Sequence, residues 1–185
     1  MKKKNKRGLN KKVDNKFFIE NKKAQGVFGI SFGTIFSIFL IIFFIVITFI
    51  VIKAFLDTKK CAEMGIFNDK FQSEIEKAWN SPKQTATFKG RLPAGLKYIC
   101  FANFSESSRG QYDEIWNVIN IYEGTNANLF FYPIEESCDM PYTKINHLDL
   151  KSIISSENPY CIKVNKGDID IRIKKELGDK LVRVS

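Results

Sequence analysis

Of all the side chains in this sequence, Cys61, Cys100, Cys138 and Cys161 have the widest range of chemistry open to them. A thiol can attack, ligate a metal or close a disulfide, and spacing separates these roles. No two cysteines stand in a CxxC arrangement, which argues against a thioredoxin-like redox site and against a zinc knuckle. A Cys/His metal site would have only His147 to draw on. Two structural disulfides are therefore expected, with three connectivities allowed. Closure of the shorter loops favours Cys61–Cys100 with Cys138–Cys161. Each bond would contribute about 3 kcal/mol by constraining the unfolded chain.

Other reactive groups are sparse. His147 has Asp149 near it in sequence, but no GxSxG or other nucleophile motif accompanies them. A lone loop histidine reads as a surface residue, and no catalytic role is expected. Glu135, Glu136 and Asp139 surround Cys138 and offer oxygens to a divalent cation, yet their spacing does not match the calcium loop. A solvated loop is the reading we take, with no metal and no cofactor. Asn103-Phe104-Ser105 is an N-glycosylation sequon, which permits modification if this segment lies outside the cell.

The elements that must carry these residues begin with a membrane anchor. Residues 27–52 contain no charge, and twenty of these 26 residues are Val, Ile, Leu or Phe. As a helix the run is about 39 Å long, against roughly 30 Å of bilayer hydrocarbon. Its length and the Lys53-Ala54-Phe55-Leu56-Asp57 that follows do not suit a cleaved secretory signal. The net charge of +9 suggests a nucleic-acid binder until its distribution is examined. Residues 1–25 hold ten Lys or Arg against Asp14 and Glu20, whereas residues 26–185 hold nineteen against eighteen. A basic tail beside a balanced remainder is not the spread basic face of a nucleic-acid domain, so none is expected as partner.

By the positive-inside rule the tail stays in the cytoplasm and the C-terminal segment is extracytoplasmic. Four cysteines in that segment agree with an oxidising compartment. The domains are thus a basic tail over 1–25, a transmembrane helix over 26–52 and a head over 53–185. The tail is too charged to fold alone. Its lysines suit anionic lipid of the inner leaflet, where Phe17-Phe18-Ile19 can dip.

The fold class expected is α+β. Met64, Phe67, Phe71, Ile75 and Ala78 make a helical stripe that continues the anchor to Trp79, where Ser81-Pro82 ends it. A mostly antiparallel β head with one helix follows. Strands are expected over 85–92, 96–104, 128–132 and 160–164. The helix covers 111–122, with Ile115, Val118, Ile119 and Tyr122 on one face. Residues 135–158 read as irregular. Asp168 to Lys174 alternates polar and apolar side chains at period two and returns through Gly178-Asp179 as a hairpin. In the anchor, Gly29, Gly33 and Ser37 are four apart on one face and allow two helices to approach closely, as a homo-oligomer or with another membrane protein.

Lys22-Lys23-Ala24-Gln25, just before the apolar run, resembles the signal of archaeal class III prepilins, which is cut before the Gln. The run GISFGTIFSIFLIIFF likewise resembles the anchors of archaeal single-pass membrane proteins with cysteine-bearing heads. The prepilin resemblance implies processing between Ala24 and Gln25 and assembly through the apolar helix, with the head facing outward. The family usually has Gly where Ala24 stands and an acidic residue soon after the cut, which this sequence lacks. Two functional readings result. The first is an uncleaved single-pass protein displaying a binding or assembly domain, and the second is a pilin-like subunit. A membrane-tethered enzyme is a third class with little behind it.

Overall fold

The computed structural model describes residues 31–185, and the division between two compact units falls after Thr48. The basic tail, the Ala24–Gln25 junction and Gly29 lie outside the described residues.

Helix α1 spans Phe32–Asn80. In the first unit its apolar side chains are exposed on every face, with Ile35, Phe36, Phe39, Phe43 and Phe44 all about half or more accessible. The hydroxyls on this stretch are satisfied within the chain. Ser37 Oγ donates to Gly33 O at 2.8 Å and Thr48 Oγ1 to Phe44 O at 2.7 Å, while Thr34 Oγ1 pairs with Ser31 Oγ at 3.0 Å. Internal satisfaction of polar groups is what hydrocarbon demands of a spanning segment. The helix is long and apolar enough to cross a membrane.

The second unit, Phe49–Ser185, is an α+β domain. In this part of α1 the stripe expected from periodicity is the buried one: Met64, Phe67, Phe71, Ile75 and Ala78 are at most 1% exposed. A three-stranded antiparallel sheet follows the order β1 (Gln84–Arg91), β6 (Asp168–Lys175), β7 (Arg183–Val184). Strand β6 buries Ile169, Ile171 and Ile173 and exposes Asp168, Asp170, Arg172 and Lys174, as its alternation dictates. The turn falls at Gly178, whose φ of 90° suits glycine.

A second sheet has the order β4 (Tyr142–Thr143), β3 (Leu129–Tyr132), β2 (Tyr98–Phe101), β5 (Tyr160–Lys163). It is covered on both faces, which explains why β2 and β3 read as nearly continuous apolar runs. Ile99, Phe101, Leu129 and Phe131 join the main core with α1 and the three-stranded sheet. Cys100, Ala102 and Phe130 face a smaller core under α2 (Asp113–Ile119). Aromatic rings knit the main core: Phe67 lies 5.6 Å from Phe88 and 6.0 Å from Phe131, and Phe71 lies 5.2 Å from Phe88.

Several expectations need correction. The favoured disulfide pairing is not the one formed: the bonds are Cys61–Cys138 and Cys100–Cys161. Cys100 and Cys161 are direct partners in the β2–β5 ladder, with Cα atoms 4.0 Å apart. Strand pairing therefore overrides loop length, and Cys61 on α1 is left to meet Cys138. Strand β2 is shorter than 96–104, because Leu96 belongs to a turn closed by its N–H on Pro93 O, and Asn158 captures the chain after Ala102. Val118 is exposed, and residues Asn120–Tyr122 tighten into a 3-10 turn after α2. Within 135–158 lies a one-turn helix, α3 (Leu150–Ile153), capped by Asp149 Oδ1 on the Ser152 N–H at 3.1 Å.

Candidate functional site

A polar cleft of about 660 Å³ opens in the second unit. One wall comes from the chain leaving β2, at Ala102, Asn103, Phe104 and Ser105. A second comes from the approach to β3, at Glu123 through Asn128, and a third from Lys144 through Leu148.

Two buried asparagines build this cleft. Asn128 donates from Nδ2 to Ile145 O and accepts from Ile145 N–H, both at 2.8 Å, so its amide acts as one more rung joining two walls. Asn158 has no exposed surface and binds the first wall. Its Oδ1 accepts from Asn103 N–H at 3.1 Å, and its Nδ2 donates to the carbonyls of Asn103, Glu106 and Ser107 at 3.0, 3.2 and 3.3 Å. Arg109 closes the same loop, donating to Ile154 O at 2.7 Å and pairing with Glu106 at 3.0 Å. Neither asparagine stood out in the sequence. The available signal was a polar residue flanking a buried strand, which is too common to single out.

His147 sits at the edge of the cleft with φ of 64°, and its ring stacks on Trp79 with centroids 3.8 Å apart and planes 11° from parallel. Asp149 caps α3 instead of orienting this imidazole. Among the described residues, no hydrogen bond joins the His147 ring to a hydroxyl or a carboxylate. Lys144 Nζ donates to Asn126 Oδ1 on the facing wall at 2.5 Å. The rim thus offers amides, one ammonium and one carboxylate, Glu123, over an apolar floor of Ala102, Ile145 and Leu148. Such a surface suits a neutral, hydroxyl- or amide-rich ligand better than an apolar one.

The residues around Cys138 behave otherwise. Glu136 pairs with Lys60 at 2.7 Å, and this contact holds the Lys60 ammonium above its ordinary pKa. Glu135 and Asp139 are exposed. Among the described residues no group of three or more His, Cys, Asp or Glu could hold a metal ion. The Lys60–Glu136 pair and the adjacent Cys61–Cys138 bond tie α1 to the turn after β3. Gly33 and Ser37 lie on α1 in the first unit, and Asn103 lines the cleft.

No family model, no curated protein and no solved structure matches this chain.

Proposed function

We propose that this chain is a single-pass membrane protein that keeps its basic tail in the cytoplasm and displays outside the cell an α+β head that binds or assembles, without a catalytic role of its own. The observation that carries the reading is α1. Its stretch 32–52 is uncharged, outward-facing on all sides and internally satisfied in its hydroxyls, and at about 32 Å it matches the hydrocarbon thickness. Two disulfides in the head support the outward side, since such bonds persist in oxidising compartments. The polar cleft is the surface we assign to ligand contact. Protease added to intact cells tests the orientation: digestion of the head is expected, and a protected head would overturn it.

A second reading is favoured by the sequence pattern of α1, whose apolar beginning and amphipathic continuation resemble a pilin subunit. On this reading the chain is cut between Ala24 and Gln25 and assembles through the apolar helix. Intact mass of the protein from its native membranes decides: a chain starting at Gln25 supports the subunit, and one retaining the tail supports the permanent anchor. In either case Gly29, Gly33 and Ser37 form the proposed contact between helices. Gly33→Leu should weaken dimerisation in a membrane reporter, and an unchanged signal would remove that contact from the proposal.

A further inference from the structure

We propose that Asn103 carries an N-linked glycan whose first sugars lie along the polar cleft. This rests on the outward placement of the head, because lipid-linked sugar donors are used on that side of the membrane. Asn103-Phe104-Ser105 satisfies the acceptor triplet, with no proline at its centre. The triplet alone is weak support, since one is expected by chance in a chain of this length; the fold supplies the rest.

First, the triplet lies just beyond β2, where the chain has left the ladder, and Ser105 is exposed. Second, its amide is polarised in one direction. Asn158 holds the Asn103 main chain on both sides, and Asn103 Oδ1 accepts the Ser105 N–H at 3.0 Å. Among the described residues Nδ2 donates to no partner, and it is not among their fully buried unsatisfied atoms, so it is not sealed from solvent. The nitrogen that must react is the end left free. Third, Asn103 opens onto the cleft, where Thr125, Asn126, Lys144 and Asn146 present donors and acceptors suited to sugar hydroxyls.

The transfer balances without a redox partner. Asn103 Nδ2 attacks C1 of a sugar carried on a lipid phosphate, the N–C1 bond forms, and the C1–O bond to phosphate breaks. The phosphate leaves with the electron pair, and the amide proton passes to a base of the transferring enzyme.

The test is the intact mass of the full chain extracted from its native membranes, alongside external protease treatment of the same cells. The wild type should exceed its polypeptide mass by whole sugar residues. Asn103→Gln and Ser105→Ala should both lose that increment, and Ser105→Thr should keep it. An increment that survives in Asn103→Gln overturns the assignment. A wild type at bare polypeptide mass with a digestible head overturns the glycan and leaves the topology standing; a bare mass with a protected head overturns both. Seating in the cleft is read separately, from modification of Lys144 by an amine-reactive reagent. Labelling should be several-fold slower in the wild type than in Asn103→Gln, and equal rates would place the glycan away from the cleft.

Discussion

Lys175 shows how much a single residue can contribute to this fold. It occupies the inward position after Ile169, Ile171 and Ile173 on β6 and is only 9% exposed. Its ammonium donates to Trp79 O and Ser81 O, carbonyls at the end of α1, where unpaired acceptors and the negative end of the helix dipole gather. Lys175→Met keeps the aliphatic stem but leaves those carbonyls without this donor, at a cost of about 1–3 kcal/mol. Thermal unfolding of the detergent-solubilised protein, followed by tryptophan fluorescence, should show a lower midpoint. Asp179 governs the nearby hairpin turn. Its Oδ2 accepts the Glu176 N–H at 2.9 Å and the Arg183 guanidinium at 2.5 Å, and these contacts hold its carboxyl below the ordinary range. A depressed folded pKa contributes stability that is present above the unfolded value of about 4 and is lost as pH falls through the folded one. Stability of the wild type should therefore decline below pH about 4 more steeply than that of Asp179→Asn. Parallel acid profiles would show that this carboxylate does not contribute.

At the level of elements, the contact between α1 and β1 depends on a missing side chain. A Cβ at Gly90 would lie 2.7 Å from the Phe67 ring and 2.8 Å from that of Phe88. Neither ring can retreat easily, since both are buried in the aromatic cluster. Gly90→Ala should cost about 1–3 kcal/mol through overpacking, read as a lowered unfolding midpoint. One disulfide lies within a ladder, and the other joins elements that no ladder connects. Cys100–Cys161 reinforces β2–β5, and Cys61–Cys138 fastens α1 to the turn after β3. They close loops of 61 and 77 residues, worth about 4 kcal/mol each in the chain-entropy model. Non-reducing digestion should recover peptides joining 61 to 138 and 100 to 161. Recovery of a peptide joining 61 to 100 would contradict this arrangement.

For the whole molecule, the proposed anchor predicts behaviour that no single residue controls. The protein should stay with the membrane pellet after alkaline carbonate washing and enter solution only with detergent. Release by carbonate would mean peripheral attachment, and the outward head would lose its basis. The sum of about 0.3 to 0.6 kcal/mol for each apolar residue along the span makes spontaneous release unfavourable.

The sequence by itself determined whatever depends on local period and composition. The run without charge is apolar over most of its length, so its suitability for lipid is read from composition alone. The stripe Met64-Phe67-Phe71-Ile75-Ala78 and the alternation of β6 each repeat at the spacing of one element, so their burial follows without knowledge of partners. Even Lys175 was legible in principle, because period two carries it inward after Ile173. The tertiary structure decided the pairings. Which cysteine faces which depends on strand order, and the order β4-β3-β2-β5 sets Cys100 against Cys161 across 61 residues of chain. The cleft is non-local for the same reason: Asn128 and Asn158 are ordinary polar residues until the fold brings Ile145 and the 103–107 loop within hydrogen-bonding reach. Periodicity is a property of one segment, whereas a disulfide or a cleft belongs to segments that meet only after the chain has closed.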